Sequence, residues 1–266
     1  MTAISMFAQP DRAIVLADTA LTALDGELLS TADKLTVIDG ARLVIGWTGF
    51  SPHHQGPAQD RILSRLARLG VGHDQGEILH ALPVILREMH QENVGWLEAD
   101  REFLVQERAT LVMSVAYWDA ARDEPVIAMA RTDGFAHVPP YALARVAYYM
   151  TTDEQADPTA FLRDAVGRDA NPSNPIDFDA RRDGLLLLER QRRIPPTPWS
   201  YGHASVGGRA TLTVIDREGV RVSTLKDWGD PIGQRINPDR RTPSIFRDAW
   251  QACGRRVAAP FSLGAI

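Results

Sequence analysis

Thr2, Asp18 and Lys34 stand near the start of the chain, each sixteen residues from the next. A threonine hydroxyl is a weak nucleophile and needs a base beside it. A chain-terminal threonine carries its own base, the free α-amine, with an unperturbed pKa of roughly 7.7–8.0. Removal of Met1 alone would make Thr2 such a terminus. The amine can take the hydroxyl proton directly or through one water. A nearby cation favours the neutral, basic amine, and Lys34 is the candidate for that cation. Asp18 is the candidate for holding Lys34 in place and charged. A backbone N–H near Gly49 could face a developing oxyanion, where one well-placed donor is worth about 2.7–4 kcal/mol. Glycine also lets a substrate approach the backbone closely.

Each residue has a structural reading as well. Threonine is common after an initiator methionine. Asp18-Thr19 at a strand end favours a turn. A lysine on an edge strand discourages aggregation. Position, spacing and strand context together favour the chemical reading.

The elements that must position these residues are short strands. Residues 2–8, 12–18, 34–38 and 42–48 are apolar runs of strand character, and turn signals separate them at Gln9-Pro10-Asp11, Asp25-Gly26 and Asp39-Gly40. Asp18 then ends the second strand and Lys34 opens the third. Apolar spacing predicts helices over 60–69 and 77–91, with Pro83 kinking the second or marking its first turns. Residues 94–106 are ambiguous. Strands follow at 110–118 and 125–130, then helices at 141–150, 160–170 and 178–193. Arg190, Arg192 and Arg193 suit the C-terminal end of the last helix dipole. A proline-rich loop, 194–205, leads to Gly207-Gly208 and a hairpin of 209–215 with 220–225. Order weakens after Trp228, with a short helix expected at 244–253.

The first fifty residues resemble the N-terminal half of a proteasome β-type subunit, including the bacterial relative that works with an ATP-driven unfoldase. The resemblance rests on Thr2, Asp18 and Lys34 at that spacing and on a strand ending in Thr48-Gly49. It implies an N-terminal-nucleophile (Ntn) hydrolase. The implied fold is α+β, a four-layer α/β/β/α sandwich of two antiparallel sheets flanked by helices. The implied catalytic residues are Thr2, Asp18 and Lys34, with the backbone of Gly49 as oxyanion donor and Ser205 in a supporting role. The implied activity is cleavage of peptide or amide bonds by a threonine-type mechanism. A ring or helical homo-oligomer and an ATP-dependent unfoldase are the implied partners. Pro140-Tyr141-Ala142-Leu143-Ala144 is similar to the start of a family helix, and Gly207-Gly208 to a family Ser-Gly-Gly turn. The chain departs from the family where Val138-Pro139-Pro140 replaces the usual Gly-Ser. It departs again where Ser205 is displaced from the Gly-Gly turn by Val206 and no aspartate lies in residues 194–204. A catalytically inactive assembly or scaffold subunit of the same fold, and an amidase acting on a small metabolite, are the alternatives. Trp47 and Leu21 are candidates for shaping a substrate pocket, with a plain core role as the commoner reading of both.

Composition bounds the rest. The chain has 266 residues, 44% hydrophobic and 24% charged, with net charge −5 and pI about 5.8. This suits a soluble globular protein with a sizeable core. No long basic run is present, so no nucleic acid is expected. No run approaches the roughly 18 apolar residues of a membrane span, so no membrane partner is expected. One cysteine, Cys253, leaves no internal disulfide and no cysteine metal cluster, and a cytoplasmic location is expected. The start of the chain lacks the basic and apolar regions of a signal peptide. His53 and His54 are adjacent with no further ligand at metal spacing, so no metal and no cofactor are expected. The expected organisation is a domain over 1–226 and a C-terminal extension over 227–266.

Overall fold

Side chains along most strands alternate between two buried faces, which fixes how the strands stack. The computed structural model describes residues 3–23, 26–49, 58–99, 110–151, 157–194 and 204–239. β1 (Ile4–Gln9) and β2 (Arg12–Asp18) pair antiparallel, in register from Ile4 opposite Ala17 to Gln9 opposite Arg12. β3 (Ala20–Thr22) and β4 (Leu28–Thr31) form a separate two-stranded hairpin. β5 (Leu35–Ile38), β6 (Leu43–Gly49), β7 (Leu111–Asp119), β8 (Glu124–Arg131) and β9 (Ala144–Val146) form an antiparallel sheet in that order. β10 (Tyr148–Met150) pairs with β1 instead. The closing hairpin, β11 (Arg209–Asp216) and β12 (Gly219–Asp227), completes the other sheet, in the order β10-β1-β2-β11-β12.

The helices are α1 (Ala58–Arg68), α2 (Gln75–Ala99), α3 (Pro158–Val166) and α4 (Arg182–Arg192). α3 begins two residues before the expected 160 and ends at Val166, short of the expected 170. The Asp157 carboxylate accepts from Thr159 N at 3.2 Å, and Pro158 tolerates the first turn because it needs no donor there. α2 runs past the expected end at residue 91 and absorbs Pro83 in its interior.

Three buried clusters show what packs on what. Leu43, Ile45 and Trp47 of β6 join Ile62 and Leu66 of α1 and Ile78, Leu82, Ile85 and Met89 of α2. Ile4 and Met6 of β1 and Val15 of β2 meet Val44, Ala116, Trp118 and Ile127 of the second sheet. Phe7, Ile14 and Leu16 meet Phe161 and Leu162 of α3 and Leu187 and Leu188 of α4.

Residues 141–150 are not the helix that their apolar spacing predicts. They form β9 and β10, one passing strand that hydrogen-bonds first to one sheet and then to the other. Two prolines precede the stretch, and Tyr141 takes φ +66°, a left-handed conformation unsuited to a helix start. Tyr148 and Tyr149 favour a pleated edge. Pro140–Ala144 is therefore not the start of a helix. The expected helix over 178–193 begins only at Arg182. Residues 244–253, where a short helix is expected, lie outside the described residues. No helix among the described residues is long and apolar enough to cross a membrane.

Candidate functional site

Asp18 closes β2, where its neighbour on β1 is the start of the described chain. Asp18 N donates to Ala3 O at 3.2 Å, and Ala3 N returns a bond to Asp18 Oδ1 at 3.0 Å. The carboxylate is fully buried. Its Oδ2 accepts from Ala20 N at 3.1 Å and from Gly207 N at 3.0 Å. Oδ1 also accepts Lys34 Nζ at 2.6 Å. Four donors thus fill the acceptor sites of an ionised carboxylate, and the geometry leaves it little freedom to turn.

Lys34 reaches this carboxylate from just before β5, with its side chain only 7% exposed. Burial pushes the Lys34 ammonium below its ordinary value of 10.5, and the Asp18 charge opposes that fall. The result is a buried cation held against one carboxylate oxygen, while the adjacent backbone N–H of Ala3 occupies the same oxygen.

The Gly207 contribution comes from the loop before β11. Gly207 O accepts from Thr19 N at 3.3 Å and Ala20 N at 3.1 Å, and Arg209 N donates to Thr19 Oγ1 at 2.9 Å. The turn after β2 and the 206–208 loop are therefore laced together. Gly208 has φ +71°, and a side chain there would strike Thr19 Oγ1 at 2.6 Å. That is why this turn needs its glycine.

Gly49 ends β6, exposed, with φ +119°. A Cβ there would lie 2.6 Å from Thr110 O, so the position excludes other residues. Its neighbour Thr48 bonds Tyr149 OH at 2.8 Å, and burial raises the Tyr149 hydroxyl above its ordinary 10.0. Thr151, next after β10, bonds both Ile4 N (3.3 Å) and Ile4 O (3.1 Å) through its hydroxyl. Gln191 of α4 donates to Ser5 Oγ at 2.9 Å and Thr151 O at 2.8 Å. The first residues of β1 are thus anchored from three elements.

Of the residues singled out in the sequence, Asp18 and Lys34 come together as a direct ion pair. Ser205 is buried two residues before Gly207, and its hydroxyl makes no hydrogen bond among the described residues. Gly49 is joined to β10 through Thr48, not to the Asp18–Lys34 pair. Thr2, His53, His54 and Cys253 lie outside the described residues, as does His203 of the proline-rich loop. Trp47 is not a pocket residue: it is 5% exposed and packs in the core shared with α1 and α2. Leu21 is half-buried on β3. The Gly207 amide is the contributor that sequence reasoning missed; its only signal was a Gly-Gly pair, read as a turn.

No protein-family model matches this chain, and no curated protein matches it in sequence. Among solved structures it is similar to the Anbu (Gly-1) mutant from Hyphomicrobium sp. strain MC1, with 13% identity, TM-score 0.54 and full coverage of both chains. At that identity the likeness is one of fold alone, a distantly proteasome-like one.

Proposed function

We propose that the chain is a threonine-type Ntn hydrolase that cleaves peptide or amide bonds after removal of Met1. The observation that carries the reading is the bridge at Asp18 Oδ1, which accepts both Ala3 N and Lys34 Nζ. Ala3, the first described residue, is thereby held by its amide on the carboxylate that pairs with buried Lys34. In this mechanism Thr2 Oγ1 attacks the carbonyl carbon while the Thr2 amine takes the hydroxyl proton. The tetrahedral oxyanion is met by the backbone N–H of Gly49. Collapse breaks the C–N bond, the amine hands its proton to the leaving nitrogen, and water then releases the acyl group. Lys34 keeps the Thr2 amine basic, Asp18 keeps Lys34 charged and in place, and Ser205 supports the site.

The same proposal includes the finer architecture. Two antiparallel sheets with one core between them, and a separate helix-lined core on each, support a four-layer α/β/β/α sandwich. It also includes self-association into a ring or helical stack, with an ATP-dependent unfoldase as partner. The domain is taken as residues 1–226 and the extension as 227–266, with residues 228–237 of the extension packed on the domain.

One observation favours a second reading, a non-catalytic assembly subunit of the same fold. Where the family resemblance implies a serine and a helix, this chain has two prolines and two short strands. An amidase acting on a small metabolite would use the same site chemistry.

The deciding experiment is an intact mass before and after a threonine-directed β-lactone or epoxyketone. A mature Thr2 terminus that gains one adduct, lost in Thr2→Ala, is the expected result. Retained Met1, or a mature Thr2 that no such probe labels, would sink the hydrolase reading in favour of the assembly subunit.

A further inference from the structure

The chain does not leave the body of the protein after β12. Trp228 N donates to Gly208 O at 3.0 Å, and Trp228 Nε1 donates to Glu189 of α4 at 2.9 Å. Two residues later Asp230 meets Arg192, in the last turn of α4, as a two-pronged pair at 2.7 and 2.6 Å. Both side chains are 1% exposed, and the Arg192 guanidinium lies over the Trp228 ring. Arg192 also donates to Val206 O (2.9 Å) and Asn237 O (3.0 Å). Asp230 Oδ2 also accepts Gly208 N at 2.9 Å.

Further on, the segment lies along β4. Gly233 N donates to Leu28 O and Leu28 N to Gln234 O, both at 2.9 Å, and Ile236 N donates to Gly26 O at 3.1 Å. Ile236 packs with Ala20 and Leu28. Residues 228–237 therefore grip the two pieces of chain that bond Asp18 Oδ2: the 206–208 loop, and the turn through Ala20 into the β3–β4 hairpin.

A buried ion pair is often no more stabilising than apolar side chains of the same volume, so its presence calls for a further reason. The two amides of the Gly-Gly turn supply one. Gly208 N points to Asp230, and Gly207 N points to Asp18. Gly207 has no room for a side chain, because its Cβ would lie 2.6 Å from Asp230 Oδ2 and 2.9 Å from Arg192 Nη1.

We infer that Asp230, clamped by Arg192, is a positioning residue for the candidate site, fixing the 206–208 loop so that the Gly207 N–H holds Asp18. The catalytic consequence rests on the hydrolase reading; the positioning itself rests on the contacts alone. With Oδ2 held by Gly207 and Ala20, Asp18 presents Oδ1 to Lys34 and Ala3. When Gly207 is released, the carboxylate turns, Lys34 loses part of its counter-charge and sheds its proton at lower pH.

The test uses the full chain and two variants. The charge-free double variant Arg192→Met/Asp230→Leu removes the pair without leaving a lone buried charge. Asp230→Glu keeps the charge pair but moves the carboxylate by one methylene, so it remains informative if the double variant fails to fold. Amide exchange at Gly207 and Ala20 is followed by NMR, and β-lactone labelling of Thr2 is followed against pH. Both amides are expected to lose protection while β7 amides keep theirs. Labelling is expected to slow about 10²-fold, with the alkaline limb of its profile shifted to lower pH. A folded variant that keeps wild-type protection at Gly207 and a wild-type pH profile overturns the inference. If the wild-type protein itself does not label, the hydrolase reading falls, and the exchange data alone still decide the positioning.

Discussion

Each oxygen of Asp18 accepts two hydrogen bonds, and three of the four donors are backbone amides. The two partners of the ion pair are therefore unequal. Asp18→Ala strands a buried ammonium and the Ala3 and Gly207 amides, while Ala20 N keeps Gly207 O, and is expected to cost about 3–5 kcal/mol. Lys34→Met leaves the carboxylate three N–H donors and costs less. Denaturant midpoints of the two variants check that order; a larger loss in Lys34→Met would show that the lysine organises the cluster. In the hydrolase reading Lys34→Met also abolishes Thr2 labelling while the protein stays folded. The Lys34 shift has a sign in stability too. Its proton is held less tightly in the folded chain than at the ordinary 10.5. Between the folded value and 10.5 the unfolded chain binds the extra proton, so stability from this group rises with pH across that window and the cost of burying the charge is fully present below it. A melt series between pH 8 and about 10.5, compared with Lys34→Met, isolates that slope. At this scale Asp18 and Lys34 were legible because residue type and spacing specify them. The amide donors were not, since any residue but proline carries an N–H.

The passing strand formed by β9 and β10 shows where local pattern fails. Its apolar residues fit a helix, yet edge positions on two sheets and a left-handed Tyr141 override that preference. Tyr149 then joins β10 to the end of β6 through Thr48. Tyr149→Phe removes that bond and is expected to cost about 1 kcal/mol, read from thermal or denaturant unfolding; an unchanged midpoint would show that the two strands are held by packing alone. The contact between α2 and the loop before β9 carries a second test. His90 Nδ1 bonds Tyr141 OH at 2.8 Å, and burial holds the imidazole below its ordinary 6.5, against the pull of Asp133. The unfolded chain therefore takes up its proton first as pH falls through 6.5, and stability from this group declines until the folded value is passed. His90→Gln should flatten that part of the pH–stability curve. The hairpins at residues 4–18 and 209–227 were readable because their turns and alternation are local.

Across the whole molecule, the pairing of β2 with β11 puts the first strands beside the last hairpin. Nothing local in the sequence encodes that pairing, and the same holds for Arg192 with Asp230, which looked like a helix-end arginine and a tail aspartate. Light scattering tests the proposed self-association. A mass at a high multiple of 29.4 kDa is the expected outcome, and a strict monomer would remove the ring or helical stack from the proposal. The Asp18–Gly207 bond spans 189 residues of sequence, and it gives the candidate site a schedule. At roughly 5–20 residues per second on the ribosome, Asp18 waits about 10–40 s for the amide that completes its shell. A nascent chain released early carries Thr2, Asp18 and Lys34 without that amide. In the hydrolase reading, the order of synthesis would act as a safety catch, arming the site only once the 206–208 loop has been made.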